Sequence, residues 1–71
     1  MKLHYYPETD SLYIELSERD AGVTREIVSG VNIDVAEDGT LVGIDIDTAS
    51  TRADLTTLET AALPLRNLRA A

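Results

Sequence analysis

Seventy-one residues, 44% of them hydrophobic but eight of those alanines, with no Trp or Phe, describe one small domain with a thin core. The absence of cysteine excludes disulfide staples and thiolate zinc sites, which leaves a metal or self-association as reinforcement for a chain this short, and a second subunit is the one expected. Of the net charge of −7, residues 1–47 carry −8, eleven acids against Lys2, Arg19 and Arg25, and the rest is close to neutral; without a basic stripe, direct nucleic-acid binding is not expected.

Met1 to Tyr6 lacks the basic start and apolar stretch of a leader, and no window approaches the roughly 18 apolar residues of a membrane span. The expected location is cytoplasmic, with no membrane partner. Leu3 and Tyr5 alternate with Lys2, His4 and Tyr6, and Leu12, Ile14 and Leu16 alternate with Tyr13, Glu15 and Ser17, the period of a strand. Pro7 to Asp10 supply a turn between them. That turn pairs Tyr5 with Leu12, Leu3 with Ile14, Lys2 with Glu15 and His4 with Tyr13, giving one apolar and one polar face.

Glu18 to Gly22 read as a surface loop, and Val23 to Val28 as a weaker strand whose facing stays open. Direct pairing through Ser29 and Gly30 sets Glu26 against inward Ile33, which calls for a bulge or a longer connection. Asp38 and Gly39 form a strong hairpin signal, read as a type I′ turn that pairs Val35 with Val42, Ile33 with Ile44 and Val31 with Ile46. Ala36 and Leu41 then join Asn32, Asp34, Gly43 and Asp45 on the polar face. Beyond Thr48 the spacing of Leu55, Leu58, Ala62 and Leu65, with Thr56 and Glu59 as a capping box, predicts a helix that stops or bends near Leu63 before Pro64.

The segments YYPETDSLYIEL, Tyr5 to Leu16, and GVNIDVAEDGTLVGIDIDTAS, Gly30 to Ser50, resemble the small prokaryotic family called domain of unknown function 2283. With the connecting strand they cover most of residues 1–50, and the Asp-Gly turn followed by Leu-Val-Gly-Ile, an acid and Ala-Ser is the more specific part. The resemblance implies a sheet plus a helix, and no established activity or catalytic residues. For some relatives it implies an antitoxin-type role beside a small toxin. The tail after Ser50 departs from the shared core.

His4, the only histidine, has Tyr13 as its expected neighbour and no positioned nucleophile, and the serines lack a strained elbow, so no catalytic constellation and no cofactor is expected. Asp34, Asp38 and Asp45 coincide with positions 1, 5 and 12 of a calcium loop, with Gly39 at 6, but Ala36 at position 3 and flanking strands oppose that reading. They are the weak metal candidates, against a hydrated Asp-Gly hairpin. Leu55, Leu58, Leu65 and Leu68 are the candidate partner-binding residues, Leu55, Leu58 and Leu65 being expected first to cover the sheet.

The expected architecture is α+β: an antiparallel meander of four to five strands with a C-terminal helix on one face, residues 1–71 forming one domain of a β core (1–50) and a helical tail (51–71). Tyr6, Val28, Leu41 and Leu68 remain as surplus apolar positions, and with the thin core they predict a homodimer. The expected function is a noncatalytic protein-binding module, an antitoxin-like partner of a small basic toxin. The alternatives are a structural homo-oligomer without a dedicated partner and, third, a carboxylate metal-binding protein.

Overall fold

The computed structural model describes residues 1–70 and contains five strands, β1 (Lys2–Tyr6), β2 (Ser11–Glu15), β3 (Val23–Val28), β4 (Val31–Val35) and β5 (Leu41–Ile46), followed by one short helix, α1 (Ala49–Arg52). The strands form a single antiparallel sheet in the order β1-β2-β5-β4-β3. This is not the expected meander. The last strand sits in the middle, between β2 and β4, and the chain crosses from β2 to the far edge through residues 16–22, which gives β2 to β5 a Greek-key order. That crossing is held to the sheet by its own backbone: the Leu16 and Ser17 amides donate to the Val42 carbonyl, and the Gly22 amide to the Val35 carbonyl.

Both hairpins form where alternation and turn chemistry put them. The first pairs Lys2 with Glu15, Leu3 with Ile14, His4 with Tyr13 and Tyr5 with Leu12, as the sequence predicts. In the second, Val31 faces Ile46 and Ile33 faces Ile44, also as predicted, but the turn is different. Gly39 alone of the Asp-Gly pair has positive φ, 88°. Its amide donates to the Ala36 carbonyl, and the Ala36 amide to the Thr40 carbonyl, so the loop has three residues, Glu37 to Gly39, where the type I′ turn has two. The extra residue shifts the local pairing to Val35 with Leu41, and a bulge beside it restores the predicted register by Asp34 and Gly43. Leu41 therefore pairs on the aliphatic side, not on the polar side.

The register settles the facing of β3. Val23 pairs with Val35 and Arg25 with Ile33, while Thr24 pairs with Asp34 and Glu26 with Asn32, and an irregularity between Glu26 and Val28 absorbs Ile27. Because directly opposed residues share a face, two aliphatic rows cross the whole sheet: Leu3, Ile14, Ile44, Ile33 and Arg25 in one, Tyr5, Leu12, Ile46, Val31 and Val28 in the other.

The predicted C-terminal helix is absent. Helix α1 ends at Arg52, seven residues before Glu59, and residues 53–70 contain neither helix nor strand. Local polar chemistry competes with the helix where it was to begin, for the Thr56 amide and hydroxyl both donate to the Asp54 carboxylate, at 2.9 and 2.5 Å. Farther on, Ala62 adopts φ 57°, and the Leu65 amide closes a tight turn around Pro64 onto the Leu63 carbonyl. Leu55, Leu58, Leu65 and Leu68 do not roof the sheet as buried residues, and their exposure runs from 41% to 75%. Among the described residues the buried hydrophobic ones are Leu12, Ala36, Val42 and Ala49, and no large side chain is fully enclosed.

Candidate functional site

The face opposite the aliphatic rows gathers the polar side chains into two rows of its own. Lys2, Glu15, Gly43, Asp34 and Thr24 lie side by side across the five strands, and His4, Tyr13, Asp45, Asn32 and Glu26 form the neighbouring row. Four carboxylates against one ammonium make this face acidic; its composition follows from the strand period on β1, β2, β4 and β5, and from the register on β3.

At its centre the Tyr13 hydroxyl reaches diagonally across β5 and donates to Asp34 Oδ2 at 3.0 Å, while Thr24 Oγ1 donates to Asp34 Oδ1 at 2.6 Å. Gly43 makes that crossing available, because a Cβ there would overlap the Tyr13 hydroxyl and ring. Partial burial first, and then the Asp34 carboxylate, push the Tyr13 phenol above its usual range. Asp45 is also raised, chiefly by burial and then by the negative charges of Asp47 and Asp34. A cationic group brought to this face would therefore relieve an existing repulsion.

The three carboxylates of the calcium-loop spacing do not converge. Asp34 belongs to the Tyr13 and Thr24 network, whereas Asp38, at the tip of the hairpin, accepts from the Thr40 amide at 3.0 Å and pairs with Arg19. Those bonds, Thr40 first and Arg19 after it, hold the Asp38 carboxyl below its usual range. Among the described residues no group of three His, Cys, Asp or Glu is placed to hold a metal ion. His4 pairs with Tyr13 across the strands and stacks on Tyr6 with ring centroids 6.4 Å apart.

The sequence reading missed two features. One is the Tyr13, Gly43 and Asp34 crossing, for which a glycine inside an otherwise well-patterned strand is the available signal. The other is Asp10, whose carboxylate accepts from the Tyr5 hydroxyl at 2.8 Å, from the Ser50 amide at 3.1 Å and from Ser50 Oγ at 2.6 Å. Its carbonyl also takes the Ala49 amide at 2.8 Å. Arg52 reaches the Ser29 carbonyl, so α1 is tied to both turns at that end of the sheet. No local sequence pattern announces contacts 40 residues apart.

On the aliphatic side an open groove of about 450 Å³ runs between Val23, Ile27, Ile33, Val35 and Leu41, with Arg25 among its lining residues. No helix among the described residues is long and apolar enough to cross a membrane. The model of the family described as "Protein of unknown function (DUF2283)" matches residues 2–50, the five strands and the start of α1. No curated protein and no solved structure matches the chain.

Proposed function

The chain belongs to the DUF2283 family, and from that premise we propose that it is a noncatalytic protein-binding module whose acidic sheet face receives a basic partner, in the manner of an antitoxin holding a small basic toxin. The observation that supports this reading is the placement of Glu15, Glu26, Asp34 and Asp45 on one side of a single sheet, with Lys2 as the one cation in their rows. Such a face steers an oppositely charged protein during encounter and gives a salt-sensitive rate of association. Asp45, raised chiefly by burial and after that by the charges of Asp47 and Asp34, would have the smaller, electrostatic part of that shift offset by a nearby cation.

A pulldown from native lysate at about 50 mM and about 500 mM salt, on either side of physiological screening, tests the reading. A basic protein is expected at low salt, reduced at high salt, and reduced also when Glu26→Gln and Asp45→Asn remove two carboxylates from one row. Recovery of no protein at either salt rejects it. The second reading, a structural homo-oligomer without a dedicated partner, is favoured by a different observation, the unsealed aliphatic side with its exposed Val23, Ile27 and Leu41.

A further inference from the structure

We propose that the aliphatic face of the sheet is the contact surface between two copies of this chain, packed sheet on sheet about a twofold axis. It is independent of the acidic-face reading, because the two surfaces lie on opposite sides of the same strands.

A sheet with one apolar side needs a second layer to cover that side. Among the described residues that layer is incomplete: Leu12 and Ala49 are buried, but little else is. No residue from Thr51 to Ala70 is buried, and Leu55, Leu58, Leu65 and Leu68 keep 41–75% of their surface in water. All of β4, which lies inside the sheet, is only half-buried.

Area supports the same conclusion. The chain exposes 5821 Å², whereas a folded monomer of 7.7 kDa exposes roughly 4,300 Å². The surplus of about 1,500 Å² is shared by the uncovered sheet, whose strands β1 and β3 are exposed along their whole length, and the exposed residues 53–70; a standard interface takes roughly 800 Å² from each partner.

A second copy suits the face better than a charged partner. Two chains of net charge −7 repel each other, but the sheet's carboxylate rows point away from the aliphatic side, so sheet-on-sheet packing keeps them apart. Arg25 is the one charged residue in the two aliphatic rows, and it lies on edge strand β3, where its guanidinium stays at the solvated rim. The groove beside it, lined by Val23, Ile27, Ile33, Val35 and Leu41 together with Arg25 and Glu37, is open to receive side chains from the facing sheet, and the two charges of opposite sign lie within the same groove. Two aligned sheets pack about 10 Å apart with interdigitating side chains. A twofold axis lets the same patch supply both halves.

Sedimentation equilibrium of the purified full chain is the test, and its purity separates it from any basic partner. Particles of twice the 7.7 kDa chain mass are expected at micromolar concentration. Ile27→Glu and Leu41→Glu change residues that are already 56% and 51% exposed in one chain, so each should leave the strand spectrum intact and weaken the dimer at least tenfold, about 1.4 kcal/mol. Tyr6→Ser, on the polar side, should leave the dimer as it is. A wild-type chain that stays monomeric at about 100 µM, or a dimer that survives both glutamates and is lost with Tyr6→Ser, overturns the proposal. Should a glutamate variant unfold, isotope-filtered NMR on the wild-type chain decides: methyl contacts of Ile33 and Ile44 across copies support the interface, and their absence overturns it.

Discussion

Asp10 supplies what helix α1 lacks in its own neighbourhood. Thr48, the residue before the helix, has left-handed φ and ψ of 48° and 46° and makes no side-chain bond to the first turn, so the orphan amides of Ala49 and Ser50 are satisfied from the β1–β2 turn instead. Asp10 holds φ 51° to do so, a conformation that Asp and Asn tolerate better than other side chains. The Ser50 bonds, and then the Tyr5 hydroxyl, keep its carboxyl below the ordinary 3.8. A depressed folded value means that the stabilisation is present above the unfolded pKa and is lost as pH falls through the lower folded one. Asp10→Ala should therefore lower the thermal midpoint near pH 6 by about 5 °C, with Asp10→Asn in between. Scans at decreasing pH should show the difference between wild type and Asp10→Asn shrinking below the ordinary 3.8, where the unfolded chain's carboxyl takes up its proton, and vanishing once pH has fallen through the depressed folded value. From the sequence Asp10 was legible only as a turn residue, because nothing in a local pattern points to Ser50.

The β4–β5 hairpin shows how a wrong turn type and a correct register coexist. The alternation of Val31, Ile33, Ile44 and Ile46 fixed which residues had to share a side, and a one-residue slip would have moved them into water. The loop chemistry was less constrained: Asp-Gly suits a two-residue turn and equally a three-residue loop with a left-handed glycine, and the bulge near Leu41 compensates for the longer one. Gly39 is thus the position on which the hairpin turns. A Cβ there meets nothing within 4 Å, so Gly39→Ala is expected to cost about 1–2 kcal/mol through backbone strain alone. Urea unfolding should show that loss with an unchanged slope, while cross-strand NOEs between Ile33 and Ile44 persist. The tail is the opposite case. Its leucine spacing suggested a helix, but a leucine pattern over so few residues needs packing to hold it, and Asp54, Thr56 and Pro64 each offer the backbone another option.

At the scale of the whole molecule, four to five strands and the faces of β1, β2, β4 and most of β5 were legible, whereas the facing of β3, the side taken by Leu41 and the strand order were not. Each hairpin is encoded by neighbours a few residues apart, whereas the pairing of Leu12 with Ile46 and Ile14 with Ile44 joins distant segments that any aliphatic strand would satisfy. The same view divides the chain at α1. Residues 53–70 bury no side chain, and the family match ends at residue 50. A chain ending at Arg52 should therefore retain its strand spectrum and lose no more than a few degrees in thermal midpoint, since changes away from buried contacts usually stay within about 0.5 kcal/mol. Circular dichroism with a melting scan checks this, and a collapse of the spectrum would assign the tail a structural role.

The central place of β5 also decides what joins the sheet. Without that strand the chain holds two separate ribbons, β1 with β2 and β3 with β4, that share no ladder and are each marginal alone. The last strand supplies a neighbour to both at once. A fragment that stops short of Leu41 therefore carries every turn of the first two ribbons without the strand that makes them one sheet.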